Sequence, residues 1–470
     1  MSAEYSDYAR SHFDNLLEWG LADFGPDPTA MWLSSLDTKT QRMAGEAHAA
    51  GIEKRVYRNI DAPGGATLYW DQPAIVAAHA LSAATGDVRY GQAADAYVRD
   101  FLARCVAPNG LFLWGNHYFF DVACGQTVWF GGTEVPKPCN MAEEISAYHE
   151  TRPIPPAWET FWRISPAATE RCIRMMGERH VVDPKTGCFN RHADRTVSCA
   201  FLESGGILCE SLAWLASRVS DASLVDLGLQ IARYSFEHRG AATGLLENNP
   251  TEARWDKYVC TTEVGLWAGS LLRAEAASGR AEFAEMADAA MRAYLRFGHD
   301  AACGQYYGRL RVADGSPVLK EKTTLYEPGR YAALWNPLFP THDYPLCFAE
   351  TCLQLLQRTD DAVYREAVSR WVEIIEAALP ANSGAGAYAE HYGRCMHFLW
   401  GAARLLKDDK TAQLARAAAQ EAIQVLFVND MFRSHPGENR YDAVDGVGFL
   451  LLSLIFLQTG NEPELMGFGF

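Results

Sequence analysis

Two kinds of helical segment alternate along most of the chain. One kind is apolar on nearly every side, and the other carries an apolar stripe at the spacing of an amphipathic helix. A short polar turn joins one of each into a pair, as Ser220-Asp221 does between 200–217 and 224–236. Apolar segments are predicted at 72–84, 200–217, 261–277, 344–357, 392–406 and 442–458, and amphipathic segments at 90–106, 224–236, 282–297, 363–378 and 412–426.

These pairs predict an all-α protein with an inner layer of apolar helices and an outer layer of amphipathic ones. Turns such as Thr85-Gly86-Asp87 contain residues that end one helix and cap the next. We therefore expect an (α/α) toroid, or barrel, of six to seven helical hairpins. The sequence has no Ser/Gly-rich linker, so a single catalytic domain is predicted over 1–470. The Gly-, Pro- and aromatic-rich segment 116–156 breaks the pattern and is expected to form a short irregular lid.

A glycine motif recurs where an outer helix returns to an inner one. In 187–192 (Gly-Cys-Phe-Asn-Arg-His), the glycine is followed by apolar residues and then by polar groups. Similar stretches begin at Gly110, Gly244, Gly304 and Gly386. If the hairpins stack side by side, these loops lie on one rim and bring His, Glu, Asn, Arg and Tyr side chains together.

Composition and charge narrow the class of partner. The 470 residues are 49% hydrophobic and 21% charged, which is typical of a soluble protein. A formal net charge of -16 disfavours nucleic acid and anionic membranes, which bind basic surfaces. No apolar run approaches the roughly 18 residues of a membrane span. The N-terminus lacks a basic segment followed by an apolar one, so a cytoplasmic location is expected.

The cysteines and the aromatic residues each have an ordinary interpretation. The 12 cysteines are scattered without a C-x-x-C zinc pattern, so reduced thiols are expected. The 13 Trp and 20 Tyr residues fit either ordinary core packing or a carbohydrate cleft in which sugars stack on aromatic rings. Composition alone leaves both interpretations open.

Three short polar stretches are candidates for one site on the predicted rim: Asn116-His117, His149-Glu150 and Arg191-His192. Taken singly, each could be a structural or solvated loop. Two of their three histidines, with the glutamate, make a ligand set for a divalent metal with open positions. His117, Glu150 and His192 are the predicted ligands, with His149 as a rival for the place of His117.

Other candidates lie at predicted starts of inner helices or in the loops before them. The substrate-binding candidates are Trp70, Gln72, Asn116, Tyr307, Arg309, Arg330, Tyr331 and Arg394. Arginines are included because a guanidinium binds a carboxylate in a bidentate fork, which suits a uronic acid. His391 and Tyr392, beside Arg394, are candidate bases. Asp71 is either a helix N-cap or a substrate contact.

The Arg191-His192 pair, with Glu150 and a further histidine upstream, resembles polysaccharide lyase family 2. Its members are pectate lyases with an (α/α) barrel, in which two histidines and one glutamate hold a transition metal. An arginine beside one of these histidines is the base in that family. The resemblance implies that His117, Glu150 and His192 hold a divalent metal (Mn, Co, Ni, Zn or Ca) and that Arg191 is the base.

Such a lyase cleaves a 4-linked uronate by removing the C5 proton, which is α to the carboxylate. A bound metal neutralises that carboxylate and stabilises the enolate-like charge. A base role for Arg191 conflicts with a guanidinium pKa above about 12. His391 or Tyr392 is the chemically easier base, and Arg191 would then clamp the carboxylate. Both assignments stay open at the level of sequence.

Three other functions compete with the lyase. A glycoside hydrolase acting on unsaturated uronyl oligosaccharides would need paired carboxylates, for which the candidates are Asp71, Glu203, Glu263 and Glu390. A sugar epimerase or isomerase with histidine bases is the second, and a sugar-binding protein is the third. The predicted rim is richer in His, Arg and Tyr than in paired acids. This favours a lyase acting on an acidic, pectate- or oligogalacturonate-like oligosaccharide, with no prediction of oligomeric state.

Overall fold

The computed structural model describes residues 4–21, 28–45, 64–115, 118–129, 137–139, 149–151, 155–251, 257–319, 329–332, 334, 346–380 and 387–462. Fourteen α-helices and one short 3-10 helix (Ala443–Asp445) lie in these residues. The α-helices are α1 (Tyr5–Trp19), α2 (Leu68–Thr85), α3 (Arg89–Arg104), α4 (Trp158–Ile164), α5 (Pro166–His180), α6 (Leu202–Val219), α7 (Ala222–Glu237), α8 (Thr261–Ser278), α9 (Ala281–Gly298), α10 (Leu346–Thr359), α11 (Ala362–Ala378), α12 (Ala389–Leu406), α13 (Asp409–Leu426) and α14 (Val447–Thr459).

Short strands occupy loops between the helices. They are β1 (Ser35–Asp37), β2 (Arg42–Met43), β3 (Gly65–Ala66), β4 (Tyr118–Asp121), β5 (Gln126–Trp129), β6 (Lys137–Pro138), β7 (Val181–Asp183), β8 (Cys188–Phe189), β9 (Tyr258–Cys260), β10 (His299–Asp300), β11 (Gln305–Tyr306), β12 (Arg309–Arg311), β13 (Phe427–Val428), β14 (Met431–Phe432) and β15 (Arg440–Asp442). In the described part of the predicted lid, β4, β5 and β6 join β3 in an antiparallel sheet of order β3-β4-β5-β6.

The chain forms two compact units. Unit 1 comprises Met1–Glu144, Glu159–Ala168 and Ala378–Met466, and unit 2 comprises Ile145–Trp158, Thr169–Ala377 and Gly467–Phe470. In unit 2, α6 packs on α8 and α8 on α10, while α7 and α9 pack against α6 and α8 from outside. In unit 1, α12, α14 and α2 pack in a row, with α13, α1 and α3 against them. A single domain over 1–470 stays a prediction.

Burial explains this division into inner and outer helices. The inner helix α14 is apolar on every side and buried from Val447 to Leu457, whereas α9 buries a stripe that includes Phe283 and Met291. Inner helices approach closely where one carries glycine: a Cβ on Gly265 of α8 would lie 2.6 Å from a backbone nitrogen of α10. None of the described helices is both long and apolar enough to cross a membrane. The predicted all-α class is confirmed, as is the inner–outer pairing that underlies the toroid prediction.

The glycine motif of the sequence forms a similar turn after each of four helices, α3, α5, α7 and α9. Gly187 closes the turn between β7 and β8 after α5, and Gly304 closes the turn between β10 and β11 after α9, with φ of 77° and 73°. Gly110 and Gly244, with φ of 103° and 75°, occupy the turns after α3 and α7. These positive φ values favour glycine because it has no Cβ. Gly386 lies outside the described residues.

Candidate functional site

Glu150 and His192 are brought together in unit 2 by a short antiparallel bridge. Across this bridge, the Thr151 N–H donates to the Arg191 carbonyl at 3.0 Å. The Ser204 hydroxyl in α6 donates to the Thr151 carbonyl at 2.7 Å, which ties the bridge to the start of α6. His192 Nδ1 lies 3.4 Å from Glu150 Oε1. Two residues predicted as ligands of one metal are therefore neighbours.

The surroundings of this pair fit the implied metal. The Glu150 side chain is 3% exposed and the His192 side chain 26%, so a buried carboxylate lies beside an imidazole that solvent can reach. Carboxylate oxygen and imidazole nitrogen are suitable donors for first-row divalent ions. Glu150 and His192 would hold such an ion, and its binding would displace a proton between them. The predicted third ligand His117, and the candidate Asn116, lie outside the described residues.

Arg191 contacts the His192 ring at its second nitrogen, Nε2, whereas Glu150 lies beside Nδ1. Its Nη2 lies 3.3 Å from His192 Nε2, and its guanidinium lies 5.1 Å from the ring centre of Phe201, the residue before α6. Because a guanidinium can only donate, His192 Nε2 accepts, and the neutral imidazole carries its proton on Nδ1, towards Glu150. The ring face attracts the cation and holds it. We refer to Glu150, Arg191 and His192 as the polar triad.

The neighbouring His149 contacts a different partner. Its Nδ1 lies 2.9 Å from His180 Nε2, and His180 Nδ1 lies 2.9 Å from the Asn190 carbonyl. Because a carbonyl only accepts, His180 donates from Nδ1 and accepts on Nε2, and His149 donates from its own Nδ1. Burial lowers the pKa of His180 to about 4. Burial, with His180 nearby, lowers the pKa of His149 well below its usual value. Both rings are therefore neutral at pH 7.

This contact bears on the role of His149 as the rival ligand. Among the described residues, which include His149, Glu150 and His192, no group of three His, Cys, Asp or Glu side chains could hold a metal ion. Adjacent side chains of an extended strip also point to opposite sides. The structure thus pairs Glu150 with His192 and pairs His149 with His180. His117 stays the predicted third ligand.

Asn190 is a site residue to which sequence reasoning assigned no role, although it lies within the glycine motif. Its side-chain amide donates to Asp194 Oδ1 at 2.8 Å, Thr196 Oγ1 at 3.0 Å and Ser198 Oγ at 3.1 Å. Its Oδ1 accepts the His192 N–H at 3.1 Å. Asn190 is fully buried, so this single amide fixes the loop that carries the polar triad's arginine and histidine.

Replacing Asn190 by alanine is expected to lower kcat/KM about 10- to 100-fold, as loss of a partner that orients a metal ligand does. The free energy of unfolding is expected to fall by about 1–3 kcal/mol because buried partners lose their hydrogen bonds. Asn109→Ala is the matched control: Asn109 Oδ1 accepts the Leu111 N–H at 3.0 Å in the turn after α3. Steady-state kinetics and urea unfolding separate the two variants. An equal loss of activity in both would argue against a positioning role for Asn190.

Glu203 and Glu263, proposed for the hydrolase alternative, lie in the first turns of α6 and α8. Glu263 accepts the Cys260 N–H at 2.7 Å and the Asn248 side-chain N–H at 2.8 Å. The Asn248 carbonyl in turn accepts the Leu202 N–H of α6 at 3.0 Å. Glu263 therefore stabilises the start of α8 and connects it, through Asn248, to the start of α6.

Four predicted substrate contacts lie in neighbouring β-paired segments of unit 2. Tyr307 and Tyr331 form a bridge, and their rings stack 5.5 Å apart. The Arg330 guanidinium lies 5.0 Å from the ring centre of Tyr331. Arg309 of β12 pairs with Cys260 of β9, the residue before α8. The structure thus brings these four residues together within unit 2.

Three other substrate-binding candidates lie in unit 1. The Trp70 ring packs edge-on against Tyr69 at 4.6 Å, and the buried Gln72 amide nitrogen lies 3.5 Å from the Tyr69 carbonyl. Arg394 is 1% exposed, and its Nε lies 3.7 Å from Glu390 Oε1. Gln72 and Arg394 are therefore held within the packing of unit 1.

The candidate bases His391 and Tyr392 lie at the start of α12 and are fully buried. The Tyr392 hydroxyl donates to Glu421 Oε1 of α13 at 2.7 Å. Burial and the hydrogen bond to Glu421 raise the pKa of this phenol well above its usual value, and a phenol held in this way is a poor base. The His391 ring lies 6.0 Å from the Tyr388 ring.

Residues 72–201 match the family model of periplasmic pectate lyases. The matched segment contains Glu150, Arg191 and His192, so it confirms the resemblance that these residues carry in the sequence. No curated protein matches the sequence of the chain.

Several solved structures are similar to the chain at low identity. The unsaturated glucuronyl hydrolase of Bacillus sp. GL1 is 14% identical over 66% of this chain and 86% of that chain, with a TM-score of 0.45. The α-1,6-mannanase of Salegentibacter sp. HEL1_6 is 10% identical over 97% of this chain and 100% of that chain, with a TM-score of 0.47. An α-mannanase of Bacteroides thetaiotaomicron is 11% identical over 97% and 96%, with a TM-score of 0.49. With TM-scores below 0.5, these similarities decide neither reaction nor substrate.

Proposed function

We propose that the chain is a lyase that cleaves 4-linked uronic-acid oligosaccharides, of the pectate or oligogalacturonate type, by metal-assisted β-elimination. One observation carries the proposal: the contact between Glu150 and His192, with Arg191 beside it, inside the segment that matches pectate lyases. The proposed cofactor is a divalent ion (Mn, Co, Ni, Zn or Ca) held by Glu150, His192 and His117. The proposed partner is an acidic oligosaccharide.

In β-elimination, a base takes the C5 proton, the electron pair of the C5–H bond forms the C4=C5 double bond, and the C4–O4 bond breaks as O4 takes up a proton from water. A divalent ion, when bound, supplies positive charge that neutralises the C6 carboxylate and acidifies the C5 proton. Arg191 stays protonated at neutral pH. In this proposal Arg191 therefore donates to the substrate carboxylate instead of taking the C5 proton. Phe201 beneath its guanidinium and Asn190 within its loop hold it in place.

The metal part of the proposal is tested by chelation. Purified protein is incubated with oligogalacturonate, and products with a C4=C5 double bond are followed by ultraviolet absorbance. EDTA is expected to suppress product formation, because removal of the metal leaves the substrate carboxylate without its counter-charge. Added Mn²⁺ is expected to restore product formation. Full activity in EDTA, from protein in which elemental analysis finds no divalent metal, would remove the metal from the mechanism.

One observation favours the hydrolase alternative, and it concerns Asp71 in α2. Burial raises the pKa of Asp71 to about 7. The hydrogen bonds that it accepts from the Tyr97 hydroxyl at 2.5 Å and the Thr67 N–H at 2.9 Å act in the opposite direction and lower this pKa. A carboxyl group that is protonated near neutral pH is what a glycosidase requires as its general acid. The Thr67 contact also has a structural use, because it satisfies a backbone N–H where α2 begins.

Asp71→Asn separates the two functions. For a lyase, kcat/KM per folded molecule is expected to stay near the parental value, whereas for a hydrolase that uses Asp71 as general acid it falls by about 10²–10⁴-fold. Stability is expected to change little in both cases, because the Thr67 N–H and the Tyr97 hydroxyl both donate to Oδ2, a position that the amide oxygen of asparagine can take. Asp221→Asn is the control, since Asp221 accepts the Ser223 N–H at the start of α7 and has no proposed role in catalysis.

A further inference from the structure

Tyr307 and Tyr331 form a rigid pair of stacked rings at the surface of unit 2. Their centres are 5.5 Å apart and their planes differ by 17°. The backbones beneath them are joined by the Gly308 N–H to the Arg330 carbonyl at 3.0 Å and the Ala332 N–H to the Tyr306 carbonyl at 2.8 Å. Both rings are half-buried, so solvent reaches them. We call Tyr307 and Tyr331, with Arg330, the tyrosine platform.

Asp300 fixes the positions of the two rings of the platform through their hydroxyl groups. The Tyr331 hydroxyl donates to Asp300 Oδ2 at 2.8 Å, and the Tyr307 hydroxyl also hydrogen-bonds this carboxylate. These hydroxyls, together with the Ala302 N–H, lower the pKa of Asp300 below its usual value. Each ring is thereby fixed at its backbone and at its hydroxyl. Such an arrangement is prepared to bind a flat apolar surface without further loss of side-chain freedom.

Arg330 gives the platform its preference for an acidic partner. Its side chain is exposed, and its guanidinium lies 5.0 Å from the Tyr331 ring centre. Among the described residues, no carboxylate lies within ion-pair distance of Arg330, whereas Asp300 is engaged by two hydroxyls. A guanidinium beside an aromatic face matches a uronic acid, which presents C–H groups on one side of its ring and a carboxylate at its edge.

The platform and the polar triad lie along the same row of helix starts in unit 2. From the platform, the chain leads directly to Arg309, which pairs with Cys260 before α8. Asn248 connects the start of α8 to the start of α6, and Phe201 before α6 lies against Arg191. Neighbouring packed helices are about 8–10 Å apart. An oligosaccharide, and not a single sugar, is therefore needed to reach from the triad to the platform.

We propose that the tyrosine platform is a distal subsite that binds one uronic-acid unit of an oligosaccharide whose cleaved linkage lies at the polar triad. This inference rests on the proposed lyase function for the position of the cleaved bond. It adds the requirement that the substrate extends along the starts of α6 and α8. Substrates long enough to reach the platform then bind more tightly because of it, and the binding of shorter ones does not depend on it.

The test compares hexagalacturonate with trigalacturonate. Tyr307→Ala, which removes one aromatic contact, and Arg330→Gln, which removes one contact with a carboxylate, are each expected to raise KM for the hexamer about two- to tenfold and to leave its kcat unchanged. KM for the trimer is expected to stay unchanged. Tyr8→Ala is the control, because Tyr8 is another half-buried tyrosine with a ring partner, Phe427, and has no place in the proposed site. Unchanged KM for the hexamer in both platform variants would overturn the subsite.

Saturation-transfer NMR with hexagalacturonate separates failure of the subsite from failure of the lyase proposal. If no unsaturated product forms but transfer to the hexamer is lost in Tyr307→Ala and kept in Tyr8→Ala, the subsite stands and the lyase function falls. If product forms and transfer is equal in all three proteins, the lyase function stands and the subsite falls. With hexagalacturonate whose carboxyl groups are reduced, Arg330→Gln is expected to leave saturation transfer unchanged, whereas Tyr307→Ala still weakens it. A Tyr307 effect on the acidic hexamer with no Arg330 effect would overturn the preference for acidic sugars.

Discussion

His192→Gln is expected to lower kcat/KM by at least about 10²-fold, the effect of removing one group that stabilises developing charge. Glutamine has no ring nitrogen to bind a metal. It also removes the contacts that the His192 ring makes with Arg191 and with Glu150. Glu150→Gln is expected to have a similar effect, because a neutral amide is a weak metal ligand. In both variants, the amount of metal per protein that stays bound through gel filtration, as measured by elemental analysis, is expected to be lower.

His299→Gln is the matched control for this prediction. His299 is a half-buried histidine of unit 2 that follows α9 and packs 5.5 Å from the Tyr306 ring. Its replacement is expected to leave both activity and bound metal unchanged. If folded His192→Gln protein keeps parental activity, or loses no more than the His299 variant, the contact between Glu150 and His192 is not the catalytic site.

Gly187→Ala is expected to lower the free energy of unfolding by about 2–5 kcal/mol, the sum of a left-handed backbone cost and an overpacking cost. Gly187 has a φ of 77°, and a Cβ there would lie 2.1 Å from the Gln230 carbonyl oxygen of α7. Backbone on both sides must move to relieve this overlap. Because the β7–β8 turn leads into the loop of Arg191 and His192, activity is expected to fall as well.

Gly304→Ala isolates the backbone contribution. Gly304 has nearly the same φ, 73°, in the equivalent turn after α9, but no atom lies within 4 Å of the added Cβ. Only the left-handed cost of about 1–2 kcal/mol is expected there. Urea unfolding of both variants gives the difference. Equal destabilisation would show that contact with α7 does not require glycine at position 187.

The helices were largely predictable because burial leaves a simple pattern. An inner helix such as α14 is a continuous apolar run, and an outer helix such as α9 shows a single stripe. Helix starts were less predictable: α2 begins at Leu68 and not at 72, and Asp71 accepts the Thr67 N–H within this added first turn. Two-residue strands such as β10 and β11 have no periodicity, so only their pairing reveals them.

The candidate site was predictable in its residue types but not in its contacts. The residue types of Glu150 and His192 indicate potential metal ligands, whereas their contact depends on pairing between segments distant in the sequence. The position of His180 at the end of α5 carries no local signal, since its partner His149 belongs to another segment. The stacking of Tyr307 on Tyr331 is likewise a long-range contact. Local patterns identify loops that carry reactive groups, and only the fold shows which groups meet.

The most direct measurement is the ratio of new unsaturated ends to new reducing ends when the protein acts on oligogalacturonate. Elimination forms one C4=C5 double bond for each linkage cleaved, so ultraviolet absorbance and reducing ends rise together. Hydrolysis adds water and forms reducing ends alone. The proposed lyase predicts equal numbers of both, suppressed together by EDTA. Reducing ends that accumulate without ultraviolet absorbance would contradict β-elimination and support the hydrolase.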